Sequence, residues 1–82
     1  MKYRVDVSQE DIAKGTRDDS SWCPVALACC RVTGKGVYVG TGFVTVAGVD
    51  NAIKLPAKAT EFINDFDNHE PVSPFSFDLE LP

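Results

Sequence analysis

The spacing of hydrophobic and polar positions changes several times along the chain, and each change marks an element. In residues 2–7, Tyr3, Val5 and Val7 alternate with Lys2, Arg4 and Asp6. That is the period of a half-buried strand. Ser8 then opens a segment with Asp11 three residues on, in the acidic position of a capping box, and with Gly15 as a stop. This predicts a short helix over 9–14 with Ile12 facing inward. Thr16 to Ser20 is a polar loop, and Asp18, Asp19, Ser20 and Ser21 are all candidate caps for the helix that follows. From Cys23 to Cys30 the thiols are the only polar side chains, and Arg31 is the first charge. Pro24 suits a first helical turn. The pattern predicts a helix over about 21–32 with three apolar faces: Trp22, Ala26 and Cys29; Cys23, Leu27 and Cys30; Val25, Ala28 and Val32. A helix apolar all round has to be covered on most sides, which places it at the centre of the core.

Thr33-Gly34-Lys35-Gly36 breaks that helix. Val37–Val39 and Phe43–Val46 are β-rich, with Gly40-Thr41-Gly42 as a hairpin loop between them. Residues 47–52 form a turn and 53–55 a short strand. Ala59, Phe62, Ile63 and Phe66 then recur at helical spacing, which predicts an amphipathic helix over 57–67. Pro71 and Pro74 hold the next stretch extended. Phe75, Phe77, Leu79 and Leu81 alternate with Ser76, Asp78 and Glu80 as a last strand. The order β-α-α-β-β-β-α-β predicts a single small α+β domain over 1–82. Its expected sheet has four to five strands and is mostly antiparallel. The central helix is buried and the amphipathic helix packs on one face. The first and last strands match in length and pattern and are expected to be neighbours, parallel or antiparallel.

Composition narrows the classes of function. An apolar fraction of 44% with 24% charged residues is that of a globular protein rather than a disordered one. The net charge is −4, and the eight basic residues are scattered without a cluster. A phosphate backbone needs several cations on one face, so the pattern argues against nucleic acid. The acidic balance suits a basic partner surface. All three cysteines lie between Cys23 and Cys30, unlike the even, dispersed set of a disulfide framework. Met1 to Asp6 holds no apolar run, and no stretch approaches the roughly 20 apolar residues of a membrane span. The expected setting is a reducing cytoplasm, with no membrane partner.

Candidate chemistry is sparse. Cys23, Cys29 and Cys30 have a C-x5-C-C spacing that does not suit a four-ligand zinc site. Cys23, near a helix N-terminus, is the one thiol with a reason to be reactive; the competing reading is three buried structural thiols. A Cys–His pair would have to join Cys23 to His69, which otherwise reads as a solvated residue after a helix. Asp18-Asp19 and Asp65/Asp67 are paired carboxylates, with helix capping the stronger account of the first pair. Gly34, Gly36, Gly40 and Gly42 match no phosphate-loop motif. Arg17, Trp22, Arg31 and Lys35 flank the central helix. If a small anionic ligand binds, its N-terminus with Arg17 is the best pocket on offer; otherwise these four are the solvated ends of a buried helix. No catalytic residue, metal ligand or cofactor is assigned.

Taken together, Asp11-Ile12 with Gly15, the Cys-Pro-Val-Ala-Leu-Ala run from Cys23 to Ala28, Phe62-Ile63 with Phe66-Asp67, and Pro74-Phe75-x-Phe77-x-Leu79-x-Leu81-Pro82 form a set. The set resembles a family of small bacteriophage and bacterial proteins and covers most of the chain. The resemblance implies a bacterial cytoplasm and a phage or prophage accessory gene, and it carries no residue roles. Small phage accessory proteins often act by binding. The expectation is therefore a non-enzymatic binding module whose partner, by that analogy, is a host bacterial protein or defence complex that it inhibits. The alternatives are a small-ligand, nucleotide-type binder and a thiol-dependent activity at Cys23. A homodimer through a free strand edge stays open. Function carried by the surface belongs at the polar ends of the central helix or on the outer face of the sheet.

Overall fold

A computed structural model describes residues 1–40 and 42–82; Thr41, in the expected hairpin loop, lies outside the described residues. Strand β1 spans Lys2–Val7, helix α1 Gln9–Lys14, helix α2 Pro24–Thr33, strand β2 Val37–Val39, strand β3 Phe43–Val46, strand β4 Ile53–Lys54, helix α3 Ala57–Asp67 and strand β5 Phe75–Glu80. The class is α+β, with the elements in the expected order.

The strands form two sheets rather than one. β1 pairs antiparallel with β5, and β2, β3 and β4 form a separate antiparallel sheet in that order. Each therefore holds fewer strands than the single sheet of four to five read from the sequence. The terminal strands are neighbours, as their matching patterns suggested. Val5 lies opposite Phe77 and Val7 opposite Phe75, while Arg4 opposite Asp78 and Lys2 opposite Glu80 fill the polar face. Helix α2 is the reason for two sheets. It packs on β1 of one and β2 of the other, and also touches α1 and α3. One flat sheet covers only one stripe of a helix, and a helix apolar on several faces needs more cover than that.

The core runs through this arrangement. Val25, Ala26, Ala28 and Cys29 of α2 meet Val5 and Val7 of β1, Phe77 and Leu79 of β5, and Val39, Val44 and Val46 of the second sheet. Ala59, Phe62 and Phe66 of α3 complete it, with the Phe62 and Phe75 rings 4.7 Å apart. Phe75 and Phe77 stack at 5.7 Å along β5.

Two local details depart from the sequence reading. Helix α2 starts at Pro24, not near residue 21, and its cap is Cys23, whose Sγ accepts from the Ala26 N–H at 3.4 Å. A proline bars the residue before it from helical backbone, and Cys23 is extended at φ −70, ψ 161. Asp18 and Asp19 therefore do not cap the helix. Asp19 Oδ1 instead accepts from the N–H groups of Ser21 and Trp22, shaping the turn that leads in. Secondly, α2 is not covered all round. Leu27 is half-buried and Cys30 and Arg31 are exposed, which leaves one stripe at i, i+3, i+4 spacing open. The far end closes as the sequence indicates, with Gly34 at φ 70 and its N–H on Cys30 O.

Candidate interaction surface

Tyr38 of β2 lies opposite Thr45 of β3, and Phe43 lies opposite Lys54 of β4. Strand alternation sends Val39, Val44 and Val46 into the core and turns Tyr38, Phe43 and Thr45 outward. Tyr38 is 64% exposed and Phe43 49%. Trp22, in the turn before α2, is 61% exposed. Trp22 and Tyr38 line a groove of about 500 Å³ with Leu27 and Cys30 from the open stripe of α2, and with Val37, Thr45 and Ala47. Water thus meets three large aromatic side chains, of which Trp22 and Tyr38 share the groove. Exposed apolar surface that gathers around a groove is a common mark of an interaction site.

A second depression, of about 440 Å³, lies between the loop before α2 and the outer side of α3. Cys23, Ser20, Val39 and Gly40 line one side of it, and Thr60, Ile63 and Asn64 the other. Four carboxylates ring it: Asp18, Asp19, Glu61 and Asp67. None has a cation within ion-pair distance among the described residues; the ion pairs are Lys2–Asp78, Arg4–Asp6, Lys14–Glu10 and Arg31–Asp11. Asp67 Oδ1 accepts from the Asp18 N–H at 3.0 Å and ties the loop to the end of α3.

The four side chains proposed from sequence for an anionic ligand do not form one site. Arg17 Nε donates to Phe66 O at 3.0 Å, with its guanidinium 5.0 Å from the Phe66 ring centre, so it closes the C-terminal end of α3. Arg31 forks onto Asp11 at 2.7 and 2.9 Å and also donates to Asp6 O. Lys35 is exposed beyond the end of α2. Trp22 alone of the four lines the groove.

The thiols separate by burial. Cys23 and Cys29 are buried, but Cys30 is exposed, contrary to the reading of all three as core thiols. Burial pushes the Cys23 thiol up. The N–H groups of Ala26 and Val25 oppose the shift, and the charges of Asp67 and Asp19 add to it. The helix N-terminus therefore does not produce a thiolate at Cys23, because desolvation outweighs it. Burial raises Cys29 to about 12. His69 is exposed while Cys23 is buried. Among the described residues no group of three His, Cys, Asp or Glu is placed to hold a metal ion, and no helix is long and apolar enough to cross a membrane.

Tyr38, Phe43 and Leu27 belong to the surface and are not singled out by the sequence, which reads Cys30 as a core thiol. The signal was present for the first two. In Val-Tyr-Val and Phe-Val-Thr-Val the valines share one parity, which leaves Tyr38 and Phe43 on the other. Leu27 and Cys30 could not be found that way, since every face of their helix reads as apolar. Comparison of the chain with protein-family models, with curated proteins and with solved structures gives no match.

Proposed function

We propose that the protein is a small non-enzymatic binding module that docks a partner protein on its outer aromatic face. The observation that carries this reading is the exposure of Trp22, Tyr38 and Phe43 beside an apolar groove. Trp and Tyr supply large, rigid contact area and dominate protein interfaces. The resemblance to small bacteriophage and bacterial proteins is what supports a host or defence protein in a bacterial cytoplasm as the partner, with inhibition as the role by analogy to phage accessory proteins.

The small-ligand alternative has less support. Its anion site at the start of α2 would sit among Asp18, Asp19 and Asp67, with Arg17 already engaged on Phe66. A thiol activity would need Cys23 ionised against its own burial. The test is affinity capture from bacterial lysate with the wild-type chain and a Trp22→Ala, Tyr38→Ala variant as paired baits, each partner then titrated as purified protein. The expected result is a partner held by the wild type and lost by the folded variant. Equal binding by both baits would refute the assignment of this face.

A further inference from the structure

The groove says where a partner docks, and the charges around it say what kind of segment fits. Resting on the docking reading above, we infer that the bound partner segment is basic and apolar together, with a Lys or Arg side chain a few residues from an aliphatic or aromatic one. The loop and strand that line the groove also line the acidic cleft. Ser21, Trp22, Val37 and Tyr38 face the groove, whereas Ser20, Val39 and Gly40 face the cleft. The wall between them is a single layer, held by Val39 N–H donating to Ser20 O at 2.8 Å. Consecutive residues are about 3.8 Å apart, so a segment crossing Ser20–Trp22 meets both depressions within a few residues.

The charged side chains that line the cleft are all acidic. Asp18, Asp19, Glu61 and Asp67 surround the cleft without an ion-pair partner among the described residues. Their number equals the chain's net excess of four negative charges. Of the cations nearby, Arg17 is held on Phe66 O and Arg31 on Asp11, while Lys54 stands opposite Phe43 by strand register. An acidic segment or a phosphate backbone in the cleft would face four carboxylates, and among the described residues no cation lines it. A cation gains attraction from all four, at the ionic-strength dependence of exposed charges. The aromatic groove meanwhile removes an apolar side chain from water. This pairing of charge and apolar contact fixes the class of partner that the aromatic face alone leaves open.

The experiment is selection from a random displayed-peptide library on the intact chain, followed by titration of the enriched peptides using the fluorescence of Trp22, the chain's single tryptophan. Two baits separate the arguments. Asp18→Asn with Glu61→Gln removes two charges that make no hydrogen bond within the described structure, and asparagine accepts the φ of 55 at position 18. Trp22→Ala removes the aromatic wall and is titrated by displacement of a labelled peptide. We expect a consensus placing Lys or Arg within a few residues of Leu, Ile, Phe or Trp. Affinity should fall about tenfold in the double variant and further in added salt for the wild type. Uncharged or acidic peptides bound equally by wild type and double variant, yet lost by Trp22→Ala, would overturn the basic-segment inference and leave the docking reading standing. Enrichment that is the same on wild type and Trp22→Ala would overturn both. Oligothymidylate displacing the selected peptides would overturn the inference in favour of nucleic acid.

Discussion

Removing Arg31 should destabilise the fold by an amount that shrinks as the pH falls. Asp11 sits at the start of α1 with a side chain only 6% exposed. Its carboxylate accepts from Ser8 N–H at 2.9 Å, Ser8 Oγ–H at 3.0 Å, and the two Arg31 nitrogens at 2.7 and 2.9 Å. Arg31 adds a bond to Asp6 O, so one guanidinium joins α2 to both β1 and α1. Hydrogen bonds to a charged group are worth about 1.5–3 kcal/mol, and losing one partner of a buried pair costs roughly 3–5 kcal/mol. The Arg31 side chain is 52% exposed, so water reaches the pair and the lower end applies. Arg31→Ala should cost about 1–3 kcal/mol. Asp11→Ala also loses the reciprocal cap with Ser8, worth about 1 kcal/mol, and should cost about 2–4 kcal/mol. Against a total of roughly 4–12 kcal/mol for a chain this size, either is a large fraction.

The pH dependence tests the cause. Burial alone would raise the Asp11 carboxyl, but the Arg31 and Ser8 hydrogen bonds outweigh it and hold the group below its ordinary value of 3.8. A folded-state value below the unfolded one stabilises the protein above the unfolded pKa, and that stabilisation is lost as the pH falls through the folded pKa. Without Arg31, burial acts with only Ser8 to oppose it, and the folded value rises. The wild type should then lose more stability on acidification than Arg31→Ala, and the gap between them should narrow from about pH 7 to about pH 3. Urea unfolding at each pH, with equal slopes for both chains, gives the difference. A cost under about 0.5 kcal/mol, the scale of an ordinary surface change, or a gap that does not change with pH, would show that the pair is a surface ion pair and not a clamp.

Three other outcomes follow from particular contacts. Native chain treated with a thiol reagent should react at Cys30 alone, because Cys23 and Cys29 are buried with raised thiol pKa values, and all three should react in denaturant; fast labelling of Cys23 in the folded chain would contradict the placement. Gly15→Ala would put a Cβ 2.5 Å from Pro24 Cδ and should lower stability by about 1–3 kcal/mol. For a domain this small, each kcal/mol lowers Tm by about 4–8 °C in a thermal melt. Trp22→Ala should cost no more than about 2 kcal/mol, since the residue is 61% exposed; a loss of about 3–5 kcal/mol, the scale of a core aromatic, would make Trp22 a packing residue and remove it from the docking face.

Local pattern was enough to find nearly every element here, because caps, stops and periods all act within a few residues. Ser8 with Asp11, Gly34, and the Ala59–Phe62–Phe66 stripe each state their own structure. The acidic residues before α2 suggest a start near residue 21, whereas Pro24 sets it through a constraint on Cys23 that is also local. The split into two sheets was not legible, since pairing between distant strands depends on what α2 needs on each side, and no single segment records that. The same limit hid the groove. The Cys23–Arg31 run is equally apolar on every face, so only the packed structure decides which stripe stays open.

That open stripe also bears on how Trp22 should be understood. On sequence it belonged to the helix, as the first residue of an inward face. Pro24 starts the helix two residues later and leaves Trp22 in the turn that Asp19 organises through the Ser21 and Trp22 amides. The Trp22 backbone is fixed further by Thr16 N–H donating to its carbonyl at 2.8 Å. A tryptophan whose backbone is pinned and whose ring stands in water loses little freedom on binding, which is the condition under which an exposed aromatic contributes most to an interface. The proline that starts α2 is therefore also what sets the ring outside the core, at the edge shared by the apolar groove and the acidic cleft.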